Sequence, residues 1–212
     1  MRFKIFLLSS AFLVMPLVAQ KKTMISTLEI YHLDSGKRDT ILQEKNHFEA
    51  PNWSSDGSHL IINQQGKLYK VDLASKRKTP LPSGNLNNCN NDHGISFDGQ
   101  LLAISNNDAI DGTASATSRI YILPATGGET PKLVTEHYPS YWHGWSPDGN
   151  SLLYTAQRNG DYNIFRIAVT GGAEEQLTFN KGLDDGPEYS PDGMYIYYNS
   201  IQSGTMELWR MD

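Results

Sequence analysis

One short phrase, used four times, constrains the fold more than any other feature: an apolar residue closing a strand, then Ser-x-Asp-Gly, then a second apolar strand. The copies read Trp53-Ser54-Ser55-Asp56-Gly57, Ile95-Ser96-Phe97-Asp98-Gly99, Trp145-Ser146-Pro147-Asp148-Gly149 and Tyr189-Ser190-Pro191-Asp192-Gly193. Asp and Gly both tolerate the positive φ of tight turns, so each copy predicts a hairpin. From one Asp to the next the spacing is 42, 50 and 44 residues. A unit of this length built only of strands cannot bury both its faces alone. It must stack on its neighbours, as the blades of a propeller do.

Taken in order, residues 27–33 and 39–42 around Asp34-Ser35-Gly36 predict the outer half of a blade. Whole units follow over 50–81, 93–134 and 143–178. The second carries an insertion after Ile104, SNNDAIDGTASATS, and the third is the most regular, with a Gly171-Gly172 turn before its outermost strand. A fourth unit starts at Pro187 and reaches only its third strand at 206–211. No helical period appears outside the first twenty residues, so the fold class is all-β: a β-propeller of four-stranded antiparallel blades. The count is an N-terminal half blade, three full blades and a truncated fourth. Loss of the C-terminal part of a longer chain would explain the last, and would leave an apolar blade face exposed.

Residues 1–20 predict a signal peptide: Arg2 and Lys4, an apolar run over 5–18, and Ala19 as a small residue for cleavage. That run is too short to span a bilayer comfortably, so the expected product is a propeller domain over 21–212 without a membrane span, periplasmic or secreted from a bacterium. Cys89 is the only cysteine, so no intrachain disulfide can form, which suits a bacterial periplasm. Its polar surroundings, 85–92, suggest a loop. The formal net charge of −5 becomes −7 without Arg2 and Lys4. Nucleic acid is therefore a poor partner, since phosphate binding needs clustered Lys and Arg. Lys76-Arg77-Lys78 is the nearest approach to such a cluster and falls in a predicted turn.

These units resemble the WD40-like propeller repeats of the TolB-like family, whose pattern appears here as Trp145-Ser146-Pro147-Asp148-Gly149, Ile164-Phe165-Arg166-Ile167, Gly171-Gly172 and Leu177-Thr178. The resemblance covers residues 27–212 and implies an incomplete arc of a six-bladed or larger propeller. It also implies a stand-alone propeller, because the α/β domain that precedes the repeats in TolB has no counterpart ahead of residue 27.

Chemistry is expected where the innermost strands begin, at one mouth of the central channel. Five residues before each turn Asp stand Pro51, His93, His143 and Pro187. On adjacent blades these positions would bring His93 and His143 together with Asp184, Asp185 and Glu188, and with the aromatic rings of Tyr141 and Trp142. Imidazole and carboxylate make a plausible divalent-metal set in His93, His143 and Asp185. The alternative is that they only satisfy one another's hydrogen bonds at the blade ends. Trp145 reads as inter-blade core. In the insertion, Asn106-Asn107-Asp108 and Asp111-Gly112 offer oxygens of the kind calcium uses, without the spacing of a calcium loop. No phosphate-binding glycine loop, nucleophile elbow or H-E-x-x-H helix occurs. The expected function is a module that binds protein, peptide or glycan at the channel mouth, with no resident cofactor. A metal-dependent carbohydrate lyase or hydrolase is the competing expectation.

Overall fold

The structure is a computed structural model that describes residues 24–110 and 117–212. The predicted signal segment 1–20 and Asp111-Gly112 of the insertion lie outside the described residues. Among the described residues there is no helix. Seventeen strands form five antiparallel sheets that follow one another in chain order.

A two-stranded ribbon, β1 (Ser26–Tyr31) with β2 (Arg38–Glu44), comes first. Blade 1 is β3 (Glu49–Trp53), β4 (His59–Gln64), β5 (Lys67–Asp72) and β6 (Lys78–Pro80). Blade 2 is β7 (Cys89–Ile95), β8 (Leu101–Asn107), β9 (Ser118–Pro124) and β10 (Lys132–Leu133). Blade 3 is β11 (Ser140–Trp145), β12 (Ser151–Arg158), β13 (Asp161–Ala168) and β14 (Glu175–Gln176). A three-stranded sheet of β15 (Asp184–Tyr189), β16 (Ile196–Ser200) and β17 (Glu207–Met211) closes the series. There Met206 and Leu208 face solvent, so the arc is open on that side.

The second strand of each blade is a continuous apolar run because neighbouring blades cover both its faces. In β4, Leu60 and Ile62 pack with Leu28 and Ile41 of the ribbon, while Ile61 turns the other way and joins Leu102 and Ile104 of blade 2. Ala103, between those two, points on to Trp142, Leu152 and Tyr154 of blade 3. Each seam is thus stitched by alternate residues of one strand. Every fully buried Leu or Ile contributes roughly 1.5–3 kcal/mol.

The repeated turn makes the predicted hairpin, but its Asp does not use positive φ. Only its glycine takes positive φ, 70° at Gly57, 74° at Gly99, 71° at Gly149 and 72° at Gly193. The Asp is an anchor. Asp148 Oδ1 accepts from Ser146 Oγ at 2.5 Å and Asn150 N at 3.0 Å, while Ser146 Oγ accepts from Ser151 N at 2.9 Å. The same bonds recur around Asp56, Asp98 and Asp192. They hold the four carboxyls below the ordinary range, Asp148 at about 2. Ser and Asp are needed together because the Asp carboxylate takes the Ser hydroxyl proton's bond and leaves the Ser oxygen free to accept from the backbone N–H five residues on.

Cys89 also differs from expectation. It lies buried in β7 rather than in a loop, and burial pushes its thiol up to about 12, which leaves it inert at neutral pH.

Candidate functional site

All four innermost strands are irregular near their start, and the irregularity decides which side chains reach the channel. In β11, Trp142 pairs with Tyr154 and Gly144 with Leu153, so His143 is an extra residue bulged out of the ladder. In β7 the ladder runs unbroken through His93, Gly94 and Ile95, opposite Ile104, Ala103 and Leu102; its extra residues fall earlier, between Cys89 and His93. His93 therefore holds the place in blade 2 that Trp142 holds in blade 3. Equal distance from the turn Asp does not make His93 and His143 equivalent.

The consequence is a correction to the predicted cluster. His93 is 2% exposed and lies inside the seam with blade 1, where burial pushes its imidazole down to about 4. Neither ring nitrogen makes a well-aligned hydrogen bond. Trp142 is buried among Ala103, Leu152 and Tyr154 instead of standing at the mouth. Asp184 is 1% exposed, its Oδ2 accepting from Asn180 Nδ2 at 3.0 Å, and it points away from its neighbour Asp185 as alternation along a strand demands. Among the described residues no three His, Cys, Asp or Glu side chains gather to hold a metal ion. The set His93, His143 and Asp185 does not assemble.

What does assemble is a cavity of about 560 Å³ at the channel mouth, walled by three successive innermost strands. Tyr141 and His143 come from β11, Asp185 from β15, and Asn90, Asn91 and Asp92 from the irregular start of β7. Thr155 and Tyr162 join from β12 and β13, and Asn107, at the end of β8, and Leu183 complete it. His143 Nε2 lies 3.2 Å from Asp185 Oδ1, close enough to pair electrostatically but not aligned as a hydrogen bond. Thr155 Oγ1 donates to the same oxygen at 3.0 Å. The His143 contact holds the Asp185 carboxyl below its ordinary value against the opposing effect of burial. Asp92 goes the other way, pushed up to about 6 by burial, with His143 pulling it down and Asp185 pushing it up.

Glu188 is exposed overall, yet its Oε2 lies against Gly144 at the edge of this site. The protein packed around it pushes its carboxyl up to about 7, opposed by His143. The mouth thus offers carboxylates of unlike proton affinity around one imidazole, beside two tyrosine rings and the amides of Asn90 and Asn91. Such a lining grips a polar group by hydrogen bonds and covers it with an aromatic face.

Of the predicted residues, Tyr141, His143 and Asp185 line the cavity and Glu188 stands at its edge; His93, Trp142 and Asp184 do not take part. Asp92 was legible only as part of a polar flank. Thr155 and Tyr162 carried no signal, because they come from strands that are otherwise plain blade core.

The four sheets that follow the ribbon are meanders whose first strand faces the channel, and this defines the class as a β-propeller. A family model for the TolB beta propeller domain matches residues 113–212. An uncharacterised protein of Agrobacterium fabrum is 45% identical over 190 residues, covering 89% of this chain and 63% of its own length. The solved structure of a TolB-type protein from Agrobacterium tumefaciens superposes with a TM-score of 0.80 at 45% identity, over 87% of this chain and 65% of that one. The Tol-Pal system protein TolB of Bordetella pertussis is 29% identical over 229 residues, 84% of this chain and 50% of that protein. The chain is a β-propeller similar to these TolB-type propellers. It spans about half to two thirds of the length of these relatives.

Proposed function

We propose that the protein is an exported, periplasmic binding module that takes part of a partner protein into the channel-mouth cavity. The observation that supports this most directly is the cavity itself: three blades each contribute a polar or aromatic side chain to one concave site. The name of the Bordetella relative makes it a protein of the Tol-Pal system, which suits a protein partner for this chain as well. The signal-like residues 1–20 and the mature charge are consistent with export, and no helix among the described residues is long and apolar enough to cross a membrane.

The test is site-specific photo-crosslinking in the native host, with the full-length chain carrying the crosslinker at Tyr162 in the cavity or at Lys132 on the outer strand β10. A discrete protein adduct is expected from position 162 and not from 132, and Asp185→Arg, which fills and recharges the cavity, should abolish it. No adduct at 162, or equal adducts at both positions, would refute the reading.

A further inference from the structure

Blade 2 carries a second polar cavity, of about 410 Å³, which the channel-mouth reading does not use. It lies between the segment joining blades 1 and 2 and the β8–β9 end, and is lined by Asn85, Asn87, Asn88, Asn107, Arg119 and Tyr121, among others. We propose that this cavity binds a sugar acid, with the carboxylate on Arg119 and the ring hydroxyls on the asparagine amides.

Arg119 is oriented before any ligand arrives. Its Nε donates to Asp108 Oδ2, Tyr121 Oη donates to the same oxygen at 2.7 Å, and Asn106 Nδ2 donates to Asp108 Oδ1 at 2.8 Å. This occupies both oxygens of Asp108, the residue of the insertion with the most calcium-like character, and turns it into a bracket for the guanidinium. The Tyr121 hydroxyl lies beside the guanidinium, but the terminal nitrogens of Arg119 make no well-aligned hydrogen bond among the described residues, which leaves the edge that pairs a carboxylate through two parallel bonds. Asp108 cancels the charge of Arg119 within the site, so one added carboxylate is attracted without a strong general field that would gather any polyanion.

The walls choose between sugar and peptide as the bearer of that carboxylate. The side chains of Asn85, Asn87 and Asn107 make no hydrogen bond among the described residues, and Asn88 uses only its Nδ2, on Asn107 O at 2.9 Å. A carboxamide offers a donor and an acceptor side by side, which matches neighbouring hydroxyls. Tyr121 adds a ring face for stacking. An extended peptide would need apolar pockets for its alternate side chains, and the lining offers little beyond Ala109 and the buried Leu86.

Calorimetric titration of the full chain with D-glucuronate, D-glucose and N-acetylglycine tests this in low-salt buffer. Glucuronate should bind at least tenfold more tightly than glucose, because a charged bidentate pair replaces a neutral contact, and at least tenfold more tightly than N-acetylglycine, which has the carboxylate without the hydroxyls. Arg119→Gln should remove the preference for glucuronate over glucose. Because that change also breaks the Asp108 bracket, exposed Asn87→Asp provides an independent arm: its added charge repels only the carboxylate, so it should weaken glucuronate at least threefold more than glucose while the thermal midpoint stays put. Equal binding of glucuronate and glucose, or no binding of either, overturns the proposal. N-acetylglycine binding as well as glucuronate would make this a general carboxylate site and overturn the sugar assignment.

Discussion

Gly94→Ala is the substitution whose cost the structure specifies most directly. A Cβ at residue 94 would lie 2.1 Å from Cη2 and 2.7 Å from Cζ3 of Trp142, and 3.2 Å from Asn52 Oδ1. Gly94 does not need positive φ, so alanine adds no backbone strain and the overlap is the whole effect. Carbon atoms rest at about 3.5–4.0 Å, so the indole must retreat by about 1.5 Å. It has little room: the ring is buried in the seam of blades 2 and 3, and Trp142 N is tied to Ser105 Oγ at 2.8 Å. Overpacking costs about 1–3 kcal/mol, and a wedged ring places this case near 3. For a domain of this size each kcal/mol lowers Tm by about 2–4 °C, which predicts a fall of roughly 6–12 °C in thermal unfolding followed by circular dichroism. The companion is Trp142→Leu, costly by itself, in whose background Gly94→Ala should be nearly silent, a coupling of about 3 kcal/mol. A fall under about 2 °C for Gly94→Ala, or simple additivity with Trp142→Leu, would refute the close approach of β7 to Trp142 and with it the seating of β11.

Two further outcomes concern pH. The imidazole of His93 is pushed down in the folded state to about 4 from 6.5, so unfolded chains bind its proton first. Its stabilising contribution is complete above pH 6.5 and is lost as pH falls toward 4. Chemical denaturation of His93→Leu should therefore show a flatter pH dependence between 4 and 6.5 than the parent; an unchanged slope would place His93 in contact with water. The four turn carboxyls at Asp56, Asp98, Asp148 and Asp192 are held below their ordinary 3.8, so they stabilise above that value and lose the effect as pH drops from 4 toward 2. Asp148→Ala should flatten that acid-side slope and lower Tm at pH 7, where Ser146 Oγ and Asn150 N lose their acceptor; equal Tm values at pH 7 would show that the turn does not need its anchor.

The blade pattern was legible because it rests on local chemistry. Ser-x-Asp-Gly closes its own bonds within a few residues, so each copy announces a hairpin wherever it occurs, and apolar runs on both sides of it announce strands buried on both faces. The first blade start was read one residue late and the other three were read three to four residues late, because the irregular first pairs, such as Ser140 with Ala156 and Asp184 with Ser200, lie upstream of any motif.

The candidate site was legible only in part, for the same physical reason taken one step further. Counting back from the turn Asp identified the positions near the channel, but a bulge of one residue moves every side chain upstream of it to the other face. His143 is that bulged residue and reaches the mouth. His93 stands in an unbroken ladder and goes into the seam, carrying with it the predicted metal set. Of the residues from strands of ordinary core pattern, Thr155 enters the cavity because it stands opposite Tyr141, and Tyr162 because β12 and β13 run past the start of β11. The sequence by itself thus determined the repeat, the all-β class and the turns, all of which depend on neighbours along the chain. The tertiary structure alone decided which of the histidines, carboxylates and aromatic rings meet, because that depends on where each ladder slips and on which blade lies beside it.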